Sequence, residues 1–208
     1  MAKYPIVLIL LGSLLTLQLI TTAQNFDIDW LRSLNHNESQ FKNDLFHFTS
    51  HSVTIVNIAA PVGVFAAGLA KKDKQLQLNA AYMVGAYALS SVVTHGLKFT
   101  VNRDRPFVTY PDIIKKDEGG SSSFPSGHTS AAFATATSMS LYFPKWYVIV
   151  PAYAWATTVG VGRIYQGVHY PTDVFAGAVV GPGSAYLTYK FQHWMDKRKK
   201  NKSQSVKL

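Results

Sequence analysis

Hydrophobic positions come in long blocks broken by short charged segments. Residues 52–70 carry no charged side chain, 75–97 hold only the titratable His95, and 146–162 and 174–189 are again free of charge. With the apolar, Ala-rich run after Ser126, these blocks predict five helices at about 52–70, 77–98, 128–143, 146–162 and 173–190. Each approaches the roughly 20 residues that cross a bilayer. Small residues recur inside them, as at Ala66-Ala67-Gly68 and Gly177-Ala178, and such residues let helices approach closely in lipid. Pro61, Pro151 and Pro182 fall within three of the helices. Each would cost a soluble helix about 3 kcal/mol, whereas spanning helices tolerate proline.

The N-terminal segment has Lys3, an apolar run from Ile6 to Leu19 and the small residues Thr21-Thr22-Ala23. It reads as a cleaved signal peptide or a retained first spanning helix. The expected fold is therefore all-α: a multi-pass transmembrane bundle of five or six helices. Residues 1–24 form the leader or first helix, 25–51 a polar, partly helical outer segment, 52–192 the helix-bundle domain and 193–208 a basic tail.

Charge orients the bundle. The turn at 71–74 is Lys-Lys-Asp-Lys, the turn at 144–146 contains Lys145, and Lys197, Arg198, Lys199, Lys200, Lys202 and Lys207 crowd the C-terminus. Under the positive-inside rule these three belong to the cytoplasm. Loops 99–127 and 163–172 then share the outer face of a cell membrane. The net charge of +9 is largely this tail, so it indicates orientation and not a nucleic-acid partner. The mean hydropathy of +0.06 decides nothing by itself. The absence of cysteine excludes disulfides, thiolate metal sites and a cysteine nucleophile.

The two outer loops carry the chemistry. Lys98 is followed by Arg105-Pro106, then by Phe124-Pro125-Ser126-Gly127-His128, then by Gly162-Arg163, His169 and Asp173. Lys98, Arg105 and Arg163 suit the oxygens of a phosphate, arginine as a rigid fork and lysine as a point charge. Ser126 offers a hydroxyl, and Gly127 lets its backbone N–H approach. A helix beginning near Ser126 would add its positive end to that anion site. Asp173 can fix the tautomer of His169 and leave the second ring nitrogen free to attack phosphorus. His128 is then placed to protonate the departing alkoxide. No metal or cofactor is required by this set.

In order, type and spacing the three clusters resemble the signature of the type 2 phosphatidic acid phosphatase and vanadium haloperoxidase superfamily, over roughly residues 50–190. The resemblance implies an all-helical core, His169 as nucleophile, Asp173 as its partner and His128 as acid. Lys98, Arg105, Ser126, Gly127 and Arg163 are the implied phosphate ligands. Substrates of the phosphatase branch include phosphatidic acid, phosphatidylglycerophosphate, undecaprenyl diphosphate and lipid A phosphates. The expected partners are a lipid phosphate or diphosphate and the surrounding membrane lipids. A vanadate-dependent haloperoxidase and a non-catalytic lipid binder are the competing readings. One position departs: Gly162 stands where the family usually has serine, which removes a hydroxyl and suggests a looser loop. His95 shares a helix face with Lys98. Arg103 and Asp104 are candidates to brace Arg105. Phe107, Tyr165 and Tyr170 are assigned to an interfacial aromatic belt. His47 and His51 are spaced as a metal pair but lack a third ligand, so they are assigned to an interfacial helix.

Overall fold

The apolar blocks become long helices because small and straight-chain residues fill their interiors, with capping groups at the ends. The computed structural model describes residues 26–205. The leader or first-helix reading of 1–24 lies outside the described residues. Helix α1 covers 26–35. It is followed by α2 (Gln40–Ala70), α3 (Lys74–Val101), the single turn α4 (Pro106–Thr109), α5 (Gly127–Tyr142), α6 (Trp146–Tyr165) and α7 (Pro171–Ser205). There is no strand among the described residues. Asp73 caps α3 by accepting from Gln75 and Leu76 N–H at 2.8 and 3.1 Å. Asn102 ends it in the left-handed region at φ 44°, a conformation that Asn enters more readily than most residues.

Several boundaries differ from the sequence reading, and three of them bear on the site or the tail. Residues 40–51, expected in an outer polar segment, form the first turns of α2. Helix α6 continues to Tyr165, so Arg163 sits in its last turn and not in a loop. A cation there complements the negative end of the helix. Helix α7 runs on to Ser205, because Lys, Arg and Gln in the basic tail are good helix formers.

Helix α5 is the axis, packed against α2, α3, α6 and α7. Its buried positions are Ala, Ser and Thr throughout, including Thr129, Ala132, Thr135 and Ala136. Glycines on the neighbours bring their backbones close. A Cβ at Gly177 would stand 2.8 Å from Ser126 O and 3.0 Å from Thr129 Cβ, and one at Gly181 would strike Ser130 O and Ala134 N. Hydrogen bonds tie the helices laterally: Thr135 to Asn57 at 2.7 Å, Trp155 to Ser52 at 2.9 Å, Gln192 to Asn79 at 2.8 Å. Large apolar side chains point outward instead, among them Ile55, Val62, Phe99, Val150, Phe175 and Leu187. A polar, small-residue core inside an apolar exterior is the arrangement that lipid contact favours. Among the described helices only α2 combines the length and sustained apolarity of a strong spanning segment.

The up-and-down order gathers the C-terminal ends of α3 and α6, the N-terminal ends of α5 and α7 and the start of α2 at one end. Lys71, Lys72, Lys74 and Lys145 lie at the other.

The close approach of α7 to α5 generates a stability prediction. Gly181→Ala should destabilise the protein by about 1–3 kcal/mol through overpacking against backbone. Gly63→Ala, where nothing lies within 4 Å of the added methyl, should be neutral or stabilising. Thermal unfolding of the detergent-solubilised variants distinguishes them, and equal melting temperatures would refute the packing account.

Candidate active site

Each sequence cluster reaches the gathered end on a different element. Lys98 is in the last turn of α3 and Arg163 in that of α6. Arg105 precedes α4. Gly127 and His128 open α5, His169 lies between α6 and α7, and Asp173 is in the first turn of α7. Pro171 occupies the first helical position of α7, where its missing N–H costs nothing. Lys98, Arg105, Gly127, His128, Arg163 and His169 together line a cavity of about 350 Å³, and His95 borders it.

Ser126 takes a different place. Its side chain is buried and caps α5, accepting from Thr129 Oγ1 at 2.8 Å and more weakly from Thr129 N at 3.5 Å. Its own N–H donates to Asp173 O at 3.0 Å, joining the heads of α5 and α7. It does not line the cavity. The amides of Gly127 and His128, in the first turn, have no carbonyl within the helix to donate to.

The run Gly119-Gly120-Ser121-Ser122-Ser123, which reads as a linker in the sequence, folds across the cations and orients them. Arg105 Nε donates to Ser121 O at 2.7 Å and its Nη1 to Val168 O at 3.0 Å. Lys98 Nζ donates to Ser122 O. Arg163 donates to Glu118 O at 3.1 Å and to Asp117 Oδ2 at 2.5 Å. A Cβ at Gly119 would stand 2.5 Å from Arg105 Nη1, so a larger residue there would displace the guanidinium. Burial, and then the neighbouring charge of Arg163, hold Arg105 below its ordinary pKa. Burial works against ionising Asp117, but the Glu118 N–H and Arg163 outweigh it and keep the carboxyl below its usual value. Arg163 is 2% exposed and its Nε–H has no partner among the described residues.

His169 is equally buried. Its Nδ1 lies 3.5 Å from both Asp173 Oδ2 and Ser123 Oγ. Asp173 is fixed by Ser123 Oγ at 2.5 Å, Tyr170 N at 2.9 Å and Arg103 Nη1 at 2.8 Å. Burial, assisted by the charges of Arg105 and Arg163 and opposed by Asp173, pushes the His169 pKa down to about 3. Burial thus favours the neutral ring, whose lone pair a nucleophile needs.

Arg103 braces Asp173 and not Arg105. Its second arm donates to Asp27 Oδ2 at 2.8 Å, and its guanidinium lies 3.7 Å from the centre of the Tyr170 ring. Asp27 in turn accepts from Thr172 N at 2.9 Å, so α1 helps to set the start of α7. Tyr170 and Tyr165 are buried parts of this scaffold and not members of an exposed belt. His47 and His51 each bond a backbone carbonyl, of Lys116 at 3.1 Å and of His47 at 2.9 Å. Ser123, Asp117 and Asp27 do not stand out in the sequence. Only the position of the first two between the motif clusters hints at a role.

Gly162 does not loosen a loop. It is buried within α6, and an added Cβ would meet Phe46 Cδ1 at 2.9 Å and Phe46 Cβ at 3.2 Å. Phe46 of α2 fills the space that a serine would use, and its ring packs 4.9 Å from that of Tyr165.

This chain belongs to the PAP2 superfamily, whose model matches residues 79–197. It is 34% identical over 116 residues to the bacitracin transport permease protein BcrC of Bacillus licheniformis, covering 54% of this chain and 55% of that one. It is 26% identical over 194 residues to an undecaprenyl-diphosphatase of Sulfolobus acidocaldarius, covering 89% and 90%. The solved structure of Aquifex aeolicus LpxE superposes with a TM-score of 0.71 at 25% identity, covering 79% of this chain and 95% of that one. The chain spans about half the length of some curated relatives it matches, the permease protein among them.

The packing of Gly162 on Phe46 yields a double-mutant test. Gly162→Ser should destabilise by about 1–3 kcal/mol, and Phe46→Ala should cost stability through its lost ring. Combined, the two should cost clearly less than their sum, because each relieves the other. Strict additivity in denaturation midpoints would show that Phe46 does not occupy the serine position.

Proposed function

We propose that this protein is a metal-independent phosphatase that hydrolyses the phosphate of a membrane lipid phosphate or diphosphate through a phosphohistidine intermediate. The observation that carries this reading is the convergence of Lys98, Arg105 and Arg163, all nearly buried, on one cavity with an unpaired Arg163 Nε–H. Like charges gathered out of water are stabilised by an anion between them, and phosphate oxygens supply both the charge and the missing acceptor. The relatives named as lipid A phosphatases and undecaprenyl-diphosphatase support the same class of substrate.

The lipid part has a place to lie. An apolar groove of about 420 Å³ runs between α2 and α3, lined by Ile58, Pro61, Val62, Phe65 and Val84, and it meets the phosphate cavity at Tyr87, which lines both. A hydrocarbon chain in this groove would continue into surrounding lipid. That supports a multi-pass membrane protein of five or six spans. The basic turns at the opposite end support an orientation with the site on the outer face.

The residues divide the reaction as follows. Asp173, held by Ser123 and Arg103, keeps the proton of His169 on Nδ1. His169 Nε2 donates its lone pair to phosphorus as the bond from phosphorus to the lipid oxygen breaks. His128, protonated as the phosphate dianion binds beside it, gives its proton to that departing oxygen. Neutral His128 then takes a proton from water as its oxygen attacks the phosphohistidine, which releases inorganic phosphate and restores His169. Lys98, Arg105, Arg163 and the free amides of the α5 head stabilise charge on the transferring group. Ser126 shapes that helix head.

The test is phosphate release by the solubilised protein from phosphatidic acid and a prenyl diphosphate. Activity should persist in excess EDTA and fall by at least about a thousandfold in His169→Ala, consistent with loss of a nucleophile. Abolition by EDTA, or turnover by His169→Ala near that of the unaltered protein, would contradict the mechanism.

A further inference from the structure

Three buried side-chain polar atoms lack a partner among the described residues: Arg163 Nε, Ser90 Oγ and Thr94 Oγ1. All three residues line the same cavity. Arg163 belongs to its phosphate end, but Ser90 and Thr94 do not. They lie on the α3 face of Lys98, one and two turns further into the bundle, at about 6 and 12 Å along the helix axis. Their exposures are only 2% for Thr94 and 1% for Ser90.

Most helical hydroxyls elsewhere in this protein have a partner, either a side chain on a neighbouring helix, as for Thr135 and Thr137, or a carbonyl of their own helix. Thr100, Ser130, Ser140, Thr158, Ser184 and Thr188 all donate to the carbonyl four residues earlier. Ser90 and Thr94 have such carbonyls in α3 and do not use them. A buried hydroxyl without a partner is costly, and a bound molecule that offers acceptors would remove that cost.

We propose that Ser90 and Thr94 form a neutral oxygen-binding subsite for the ester or hydroxyl oxygens of the lipid alcohol that carries the phosphate. The protein is thereby selective for phosphates of oxygen-rich lipids over those of plain prenyl alcohols. This rests on the lipid phosphatase reading and narrows its substrate. The order along α3 matches such a molecule. Lys98 meets the phosphate, Thr94 and Ser90 meet the oxygenated linker, and Tyr87 opens onto the apolar groove for the chains. A prenyl phosphate passes directly from phosphate to hydrocarbon and would leave both hydroxyls unpaired. A second phosphate would suit the subsite poorly, because the subsite offers hydroxyls without a cation of its own.

The experiment compares kcat/KM for a 1,2-diacylglycerol 3-phosphate, farnesyl phosphate and farnesyl diphosphate, using the full chain in detergent. In Ser90→Ala/Thr94→Val the ratio of diacylglycerol phosphate to farnesyl phosphate should fall about tenfold, chiefly through KM. Thr94→Ser, which keeps its hydroxyl, should retain the original ratio. An unchanged ratio, an equal loss on every substrate, or a loss confined to the diphosphate would overturn the subsite while leaving the phosphatase reading intact. An unaltered protein that releases phosphate from none of the three would overturn that reading, and the subsite with it.

Discussion

Three cations held out of water at one end of a helix bundle set the terms for the rest of this structure. Lys98, Arg105 and Arg163 come from three separate segments and repel one another, and burial removes the solvent that would screen them. Two devices offset that repulsion without filling the cavity. Lys98 and Arg163 sit at helix C-termini, whose partial negative charge favours them. The segment 117–123 lays the carbonyls of Glu118, Ser121 and Ser122 against the three side chains, and its Asp117 adds one carboxylate. These contacts aim the donors and leave the unpaired Arg163 Nε–H for a ligand. The site is thus organised before an anion arrives, which is what electrostatic stabilisation of a transferring phosphoryl group requires.

Such convergence demands that five helix ends meet within the reach of a few side chains. The small residues of α5 make this possible. Gly160 on α6 and Gly177 on α7 both face Thr129, so the helices that present Arg163 and Asp173 close on the helix that presents His128. The second ionic group, Arg103 between Asp27 and Asp173, fixes the far side of His169. With one guanidinium between two carboxylates it is net negative, in contrast to the net positive cradle. One network is therefore built to hold a residue still and the other to receive an anion.

Much of this was legible in the sequence, and the reason is chemical. Phosphate chemistry uses Lys, Arg, His and Asp, which stand out against apolar helices, so Lys98, Arg105, His128, Arg163, His169 and Asp173 could be singled out before any coordinates. The five long helices followed from block hydropathy, whereas the short α1 and α4 did not. Other features were hidden because their meaning depends on three-dimensional neighbours. The Gly-Ser run has the composition of a linker, and only its folding over Arg105 reveals a positioning role. Arg103 was adjacent in sequence to Arg105 but pairs across about seventy residues with Asp173. Ser126 reads as a ligand by type, and its hydroxyl oxygen also caps α5 by accepting from Thr129, a role that its type does not announce. Gly162 reads as a loss until Phe46 is seen in the space it leaves. Ser90 and Thr94 look like ordinary helix-packing residues, and only their missing partners distinguish them.

Orthovanadate, a phosphate mimic, tests the preorganised cradle most directly, because it needs neither the right lipid nor turnover. Its effect on thermal unfolding should be measured for the unaltered protein and for Arg163→Gln. The account predicts a rise in melting temperature of several degrees at saturation for the unaltered protein, as expected for a ligand that binds only the folded state. It also predicts that the rise is lost or greatly reduced in Arg163→Gln. An equal shift in both proteins, or none in the unaltered one, would contradict the claim that the buried cations form an anion site.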